Sequence, residues 1–233
     1  MSEENKDMPF AWPPLESNPE IFTSYMHEIG LPKEWAVGEL FGFDEDLLAF
    51  LPQPVLAVIA NVERPGEKRA EDRARGDAQV AAPFYMKQTG TLDNACGVIA
   101  CIHAIYNNLD SIGSLGEGSV LANHLAATQG LSPEERCAAL ESNTAFQTVH
   151  KGKALQGQSG LCSEQSDVHH HFVAFVRVGD NLVELDGTKQ GPLIAREGCT
   201  DVLRDSVKVV QERLAEGLYT DRLSLMALNA NAM

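Results

Sequence analysis

The chain has 233 residues, 44% of them hydrophobic and 22% charged, with a formal net charge of −15. That length and apolar content suffice for a full hydrophobic core in one large domain. The charge argues against a nucleic-acid or anionic-membrane partner, since phosphates would be repelled; it suits solubility, a monomer and a basic protein partner.

The opening residues, 1–10, are polar and acidic, unlike a targeting segment, and the longest apolar runs, such as 54–60, are too short to cross a bilayer. Residues 1–11 are read as a flexible tail and 12–233 as a single catalytic domain. Five cysteines with no C-x-x-C pair fit neither a disulfide framework nor a zinc knuckle, which points to a reducing, cytoplasmic setting with free thiols.

Asn18 before Pro19 and Glu20 marks a helix start, and Ile21, Tyr25, Met26 and Ile29 continue it at helical spacing until Gly30 and Pro32. A short helix is expected over 45–50 and a strand buried on both faces over 55–62. The stretch 61–79 alternates Glu, Lys, Arg and Asp, a composition that reads as a surface loop. A strand is expected over 82–86, a buried helix over 95–106, and helices over 119–128 and 133–141, the latter behind the start signal Ser132, Glu134, Glu135. Residues 150–167, rich in Gly, Gln and Ser, read as a long loop. A hairpin follows, with strands 172–178 and 182–186 about a Gly179-Asp180 turn; a helix over 202–214 and a strand over 223–228 close the chain.

Cys96 falls at the start of the 95–106 helix, where free N–H groups and aligned peptide dipoles favour a thiolate and an oxyanion. With Asn94 as N-cap bonding the Gly97 N–H, the Cys96 N–H would stay free for that oxyanion. The plain alternative is a small buried hydrophobe. Cys101, deeper in the same helix, is assigned to packing. His103 lies roughly 10 Å along the helix from Cys96, too far to serve as its base. His171 is better placed. If Val178 pairs with Asn181, then Val173 opposes Asp186, and His171 becomes a diagonal neighbour of that carboxylate on the same face. Consecutive strand residues alternate faces, so His169, His170 and His171 cannot converge on one metal, and no metal or cofactor is expected. Gln88 could add a second oxyanion donor. Spacing alone leaves this constellation open.

Seven motifs in order give the chain a resemblance to the papain-like ubiquitin C-terminal hydrolases, particularly the small single-domain members: WPPLESNP at 12–19, MKQT at 86–89, NACG at 94–97, HAIYNN at 103–108, SPEER at 132–136, HFVA at 171–174 and ELDG at 184–187. The resemblance implies an α/β (α+β, papain-like) fold with a central, mainly antiparallel sheet flanked by helices and a knotted backbone. It implies Cys96 as nucleophile, His171 as general base and acid, Asp186 as its orienting carboxylate and Gln88 as oxyanion donor. Pro14, Leu15 and Glu16 would lie near a bound ubiquitin tail, and 150–167 would be a crossover loop that favours small or disordered leaving groups. The partner would be ubiquitin or a ubiquitin-like protein such as Nedd8. The Gln88 to Cys96 interval is two residues longer than the family spacing. Two other readings stand beside this one: a ubiquitin-binding module with weak or lost catalysis, and a cysteine amidase acting on small amides.

Overall fold

The computed structural model describes residues 10–154 and 170–231. In chain order these form α1 (Pro19–Ile29), β1 (Trp35–Leu40), α2 (Glu45–Leu48), β2 (Val55–Glu63), α3 (Gly66–Arg73), a 3-10 turn (Gly90–Leu92), α4 (Cys96–Tyr106), α5 (Leu109–Ile112), α6 (Val120–Thr128), α7 (Pro133–Glu141), α8 (Thr144–Ala154), β3 (His170–Val178), β4 (Asn181–Leu185), β5 (Leu193–Glu197), α9 (Val202–Ala215) and β6 (Leu223–Ala230). The six strands make one sheet in the order β1-β6-β2-β3-β4-β5, and every neighbouring pair is antiparallel.

Side chains alternate across the sheet and so feed two cores. Ala57 and Ile59 of β2, with Phe172, Ala174 and Val176 of β3, face the larger cluster built around α4. Val58, Ala60 and Val62, with Val173 and Phe175, face α9 on the other side. Because α4 is enclosed by the sheet and by other helices, every one of its residues is buried, which is why its sequence is apolar around its whole circumference.

Local chemistry sets several boundaries as expected. The Asn18 side chain accepts from the N–H groups of Glu20 and Ile21, and Gly30 stops α1 at φ 120°. Ser132 and Glu135 form a reciprocal capping box on α7. Val178 pairs with Asn181, which fixes the hairpin register that the two-residue turn predicts.

Other expectations are corrected. Residues 82–86 join no ladder, and the Tyr85 hydroxyl bonds instead to the turn after β4. Stretch 61–79 is not a surface loop: β2 runs on to Glu63, α3 follows, and Arg64 and Asp72 are buried. Of the expected loop 150–167, residues 150–154 belong to α8, and 155–169 lie outside the described residues, as does Cys162. Phe10, read as tail, packs edge-on against Trp12 at 5.2 Å between ring centroids, while residues 1–9 lie outside the described residues. β1, α5 and β5 carry no strong sequence signal.

Candidate active site

The cleft lies where β3 enters the sheet beside the N-terminus of α4, and it encloses about 590 Å³. Cys96 is the first residue of α4, 8% exposed at the base of this cleft. Burial pushes its thiol up. A hydrogen bond and the charge of His171 push it down, as do the backbone N–H groups of Phe172 and Gly97, and the sum lies below the ordinary thiol value. Cys101, five residues along the same helix, lacks such partners, and burial drives its thiol far up. One helix thus carries two cysteines whose thiols are pushed in opposite directions. The N-cap is Ala95 rather than Asn94, whose side chain makes no capping bond. The 3-10 turn at Gly90–Leu92 feeds the chain into α4 instead, with Ala95 N–H donating to Leu92 O at 2.8 Å.

His171 projects from β3 on the same face as Val173 and Phe175. Its Nε2 lies 2.7 Å from Asp186 Oδ1, the contact that the hairpin register predicts, which leaves Nδ1 for Cys96. Burial disfavours the imidazolium, but Asp186 and Cys96 outweigh burial and raise its pKa to about 9. Each of the two groups thus favours the charged form of the other, the thiolate of Cys96 and the imidazolium of His171.

Asp186 is held on four sides. Its Oδ1 accepts from the Thr188 N–H at 2.9 Å and the Thr188 hydroxyl at 2.8 Å as well as from His171, and its Oδ2 accepts from Arg64 at 2.8 Å. Burial would raise this carboxyl; His171, Arg64 and Lys189 hold it well below the usual range. Arg64 Nε is in turn 3.0 Å from Asp72 of α3, and Lys189 Nζ is 2.6 Å from Asp72 and 3.6 Å from Glu184. Glu184 also pairs with Arg213 of α9, and although burial opposes its charge, Arg213, Lys189 and Arg64 bring its pKa down to about 2. Sequence reasoning missed Arg64, Asp72, Lys189 and Arg213. Their only signal was a set of charges beside apolar strands.

Gln88 shares the cleft with Cys96 and His171. Its backbone N–H donates to Gly187 O at 2.9 Å, and its amide Nε2 donates to Leu92 O at 3.1 Å and Asp93 O at 2.9 Å. Both acceptors belong to the longer Gln88 to Cys96 segment, so in this resting geometry both amide hydrogens are already engaged. The segment before Gln88 is clamped on two sides. His103 Nε2 accepts from the Met86 N–H at 3.1 Å while its ring stacks on Tyr85, and the Tyr85 hydroxyl lies 2.9 Å from Asp186 O and 3.1 Å from Lys189 O. Burial lowers the His103 pKa to about 4, so it stays neutral and acts as a packing and acceptor residue, as its distance from Cys96 predicts. Pro14 lines the cleft; Leu15 is buried and packs beside Gly97; Glu16 is half-buried. Among the described residues no group of three or more His, Cys, Asp or Glu is placed to hold a metal ion, and no helix is long and apolar enough to cross a membrane.

A pH dependence follows from these shifts. Cys96 alkylation by iodoacetamide should approach its maximum at a lower pH than that of a free thiol, whose pKa is about 8.5. His171, raised from 6.5 to about 9, contributes stability that is complete below about 6.5 and lost as pH climbs through 9. Asp186, depressed below 3.8, contributes stability present above that value and lost as pH falls through its lower folded value. Urea unfolding followed against pH should show both losses. An alkylation rate that follows the pH profile of a free thiol would contradict the lowered thiol.

Comparison with known proteins agrees with this geometry. Residues 12–215 match the family model "Ubiquitin carboxyl-terminal hydrolase, family 1". The chain is 37% identical over 230 residues to a ubiquitin carboxyl-terminal hydrolase of Drosophila melanogaster, covering 94% of this chain and 98% of that one. It is 36% identical over 225 residues to a probable ubiquitin carboxyl-terminal hydrolase of Dictyostelium discoideum, covering 93% and 87%. Among solved structures, the catalytic domain of Trichinella spiralis UCH37 bound to ubiquitin vinyl methyl ester matches with a TM-score of 0.72 at 25% identity, covering 94% of this chain and 96% of that one. A match across that much of the chain, on a fold that sets Cys96 and His171 in one cleft with Asp186 bonded to His171, means that this protein belongs to ubiquitin carboxyl-terminal hydrolase family 1.

Proposed function

We propose that this deubiquitinase releases small or disordered adducts from the C-terminal glycine of ubiquitin, or of a ubiquitin-like protein such as Nedd8, through a thioester on Cys96. The observation that carries the reading is Cys96 at the start of α4, in one cleft with a His171 that Asp186 anchors. The Cys96 sulfur attacks the glycine carbonyl carbon, and the C–O π electrons move onto oxygen. The Cys96 N–H, which has no hydrogen-bond acceptor among the described residues, meets that oxyanion. As the tetrahedral species collapses, the C–N bond breaks and His171 gives its proton to the leaving nitrogen. Water then attacks the thioester, His171 takes its proton, and the Cys96 thiolate departs. Pro14 faces the bound tail, Leu15 anchors that segment on α4, and Glu16 follows beside it. The negative chain attracts the basic tail of ubiquitin, and the protein acts as a cytoplasmic monomer without cofactor.

The engaged amide of Gln88 favours the second reading, a ubiquitin-binding module of weak activity. Release of a fluorescent amine from the ubiquitin C-terminus, with a small fluorogenic amide in parallel, separates the readings. Fast ubiquitin-dependent release is expected, and in Gln88→Ala turnover should fall about tenfold or more with KM little changed. Binding without release would favour the module. An undiminished rate in Gln88→Ala would assign the second donor elsewhere, Asn94 on the same cleft being the next amide to test.

A further inference from the structure

The cleft of this strongly acidic protein is cationic. Arg69 and Arg73 stand four residues apart on α3, hence on one face of it, and both line the cleft that holds Cys96. The other cations of this stretch have partners: Lys68 faces Glu71, Arg75 faces Asp72, and Arg64 is neutralised by Asp72 and Asp186. Arg69 and Arg73 have no carboxylate within ion-pair distance among the described residues, and the buried Nε of Arg69 has no hydrogen-bond partner. Among the described residues, Asp93 is the one carboxylate on the cleft wall, and it pairs with neither. Two guanidinium groups lining a reaction cleft, with no counter-charge among the described residues, are an anion-binding arrangement, since each presents a planar fork of donors matched to a carboxylate.

The basic tail of ubiquitin would not be laid over them, because like charges repel. The anion therefore comes from the other side of the scissile bond. We infer that Arg69 and Arg73 form a leaving-group subsite that selects acidic peptide adducts, with carboxylates within the first few residues after the cleaved bond. This rests on the hydrolase reading and adds a substrate class to it. Asp72, on the inner side of α3, ties the helix to Arg64 and Lys189 and so orders it despite its composition, and the helix in turn carries Arg69 and Arg73 to the cleft.

The test uses three ubiquitin fusions that end in short amidated extensions, one Asp/Glu-rich, one with the isosteric Asn and Gln, and one Lys-rich. For each, kcat/KM is measured with the native protein, with Arg69→Gln/Arg73→Gln and with Arg69→Glu/Arg73→Glu. The native protein should prefer the acidic over the neutral extension by about tenfold at low salt, less as salt is added. The ratio should fall to about one in the glutamine pair and turn in favour of the Lys-rich extension in the glutamate pair. Because each ratio is taken within one protein, a variant that is partly unfolded still reports it. No preference in the native protein, or a preference that survives in the glutamine pair, would overturn the subsite. Failure to cleave any of the three fusions would instead count against the hydrolase reading.

Discussion

Cys96→Ala should reduce ubiquitin-dependent release by on the order of 10⁴-fold or more, the scale on which removal of a nucleophile collapses a unit that works only as a whole. Affinity for ubiquitin should persist, because the substitution removes one sulfur from the cleft and leaves its walls in place. Equilibrium binding and single-turnover kinetics on the same preparation check both halves. Cys101→Ala is the matched control: the same residue type on the same helix, fully buried, with its thiol held in the neutral form. It should cost stability through lost packing while leaving the rate per folded molecule close to native. Equal losses from the two substitutions would remove the basis for singling out Cys96, namely its place beside His171 and the free N–H groups at the start of α4.

The contrast between these cysteines was legible before any coordinates, because a helix start and a position one turn and a half further on differ in their backbone partners whatever surrounds them. The His171–Asp186 contact was legible for a similar reason. A two-residue turn fixes strand register, and register fixes which side chains share a face. Asn18, Ser132 and Glu135 set helix starts through local bonds that their own sequence supplies. Distance along the chain explains what was not legible. Arg64 reaches Asp186 across 122 residues and Lys189 reaches Asp72 across 117, so a segment that looks too charged to order is ordered by partners far from it. β1 escaped notice because it is an edge strand with only Val37 buried, so it shows no apolar alternation. Gly38 within it makes room for Leu51 and Asn229, which a Cβ would meet at 2.6 and 2.9 Å. The engagement of Gln88 was illegible too, because the carbonyls of Leu92 and Asp93 face it only once the 3-10 turn has formed.

Arg64→Met should lower stability by about 3–5 kcal/mol, the usual consequence of removing one partner from a buried ion pair and stranding the other. Arg64 is 4% exposed and stands between Asp72 and Asp186, so its loss strands two carboxylates. Around it, Lys189, Arg213 and His171 also meet Asp72, Glu184 and Asp186, a buried cluster of opposite charges that one deletion unbalances. The effect should extend to chemistry, since Asp186 without Arg64 is free to turn away from His171. kcat should then fall more than KM rises, and Arg64→Lys, which keeps the charge but loses the fork to both carboxylates, should recover stability better than rate. Arg75→Met provides the comparison: its pair with Asp72 is 3.7 Å long with the guanidinium largely solvated, and its loss should cost less than about 1 kcal/mol. Urea unfolding of the three variants, with kinetics on the folded fraction, decides the matter. An Arg64→Met protein as stable as the native one would mean that the cluster tolerates a surplus negative charge, and Asp186 would then owe its placement to Thr188 and His171 alone.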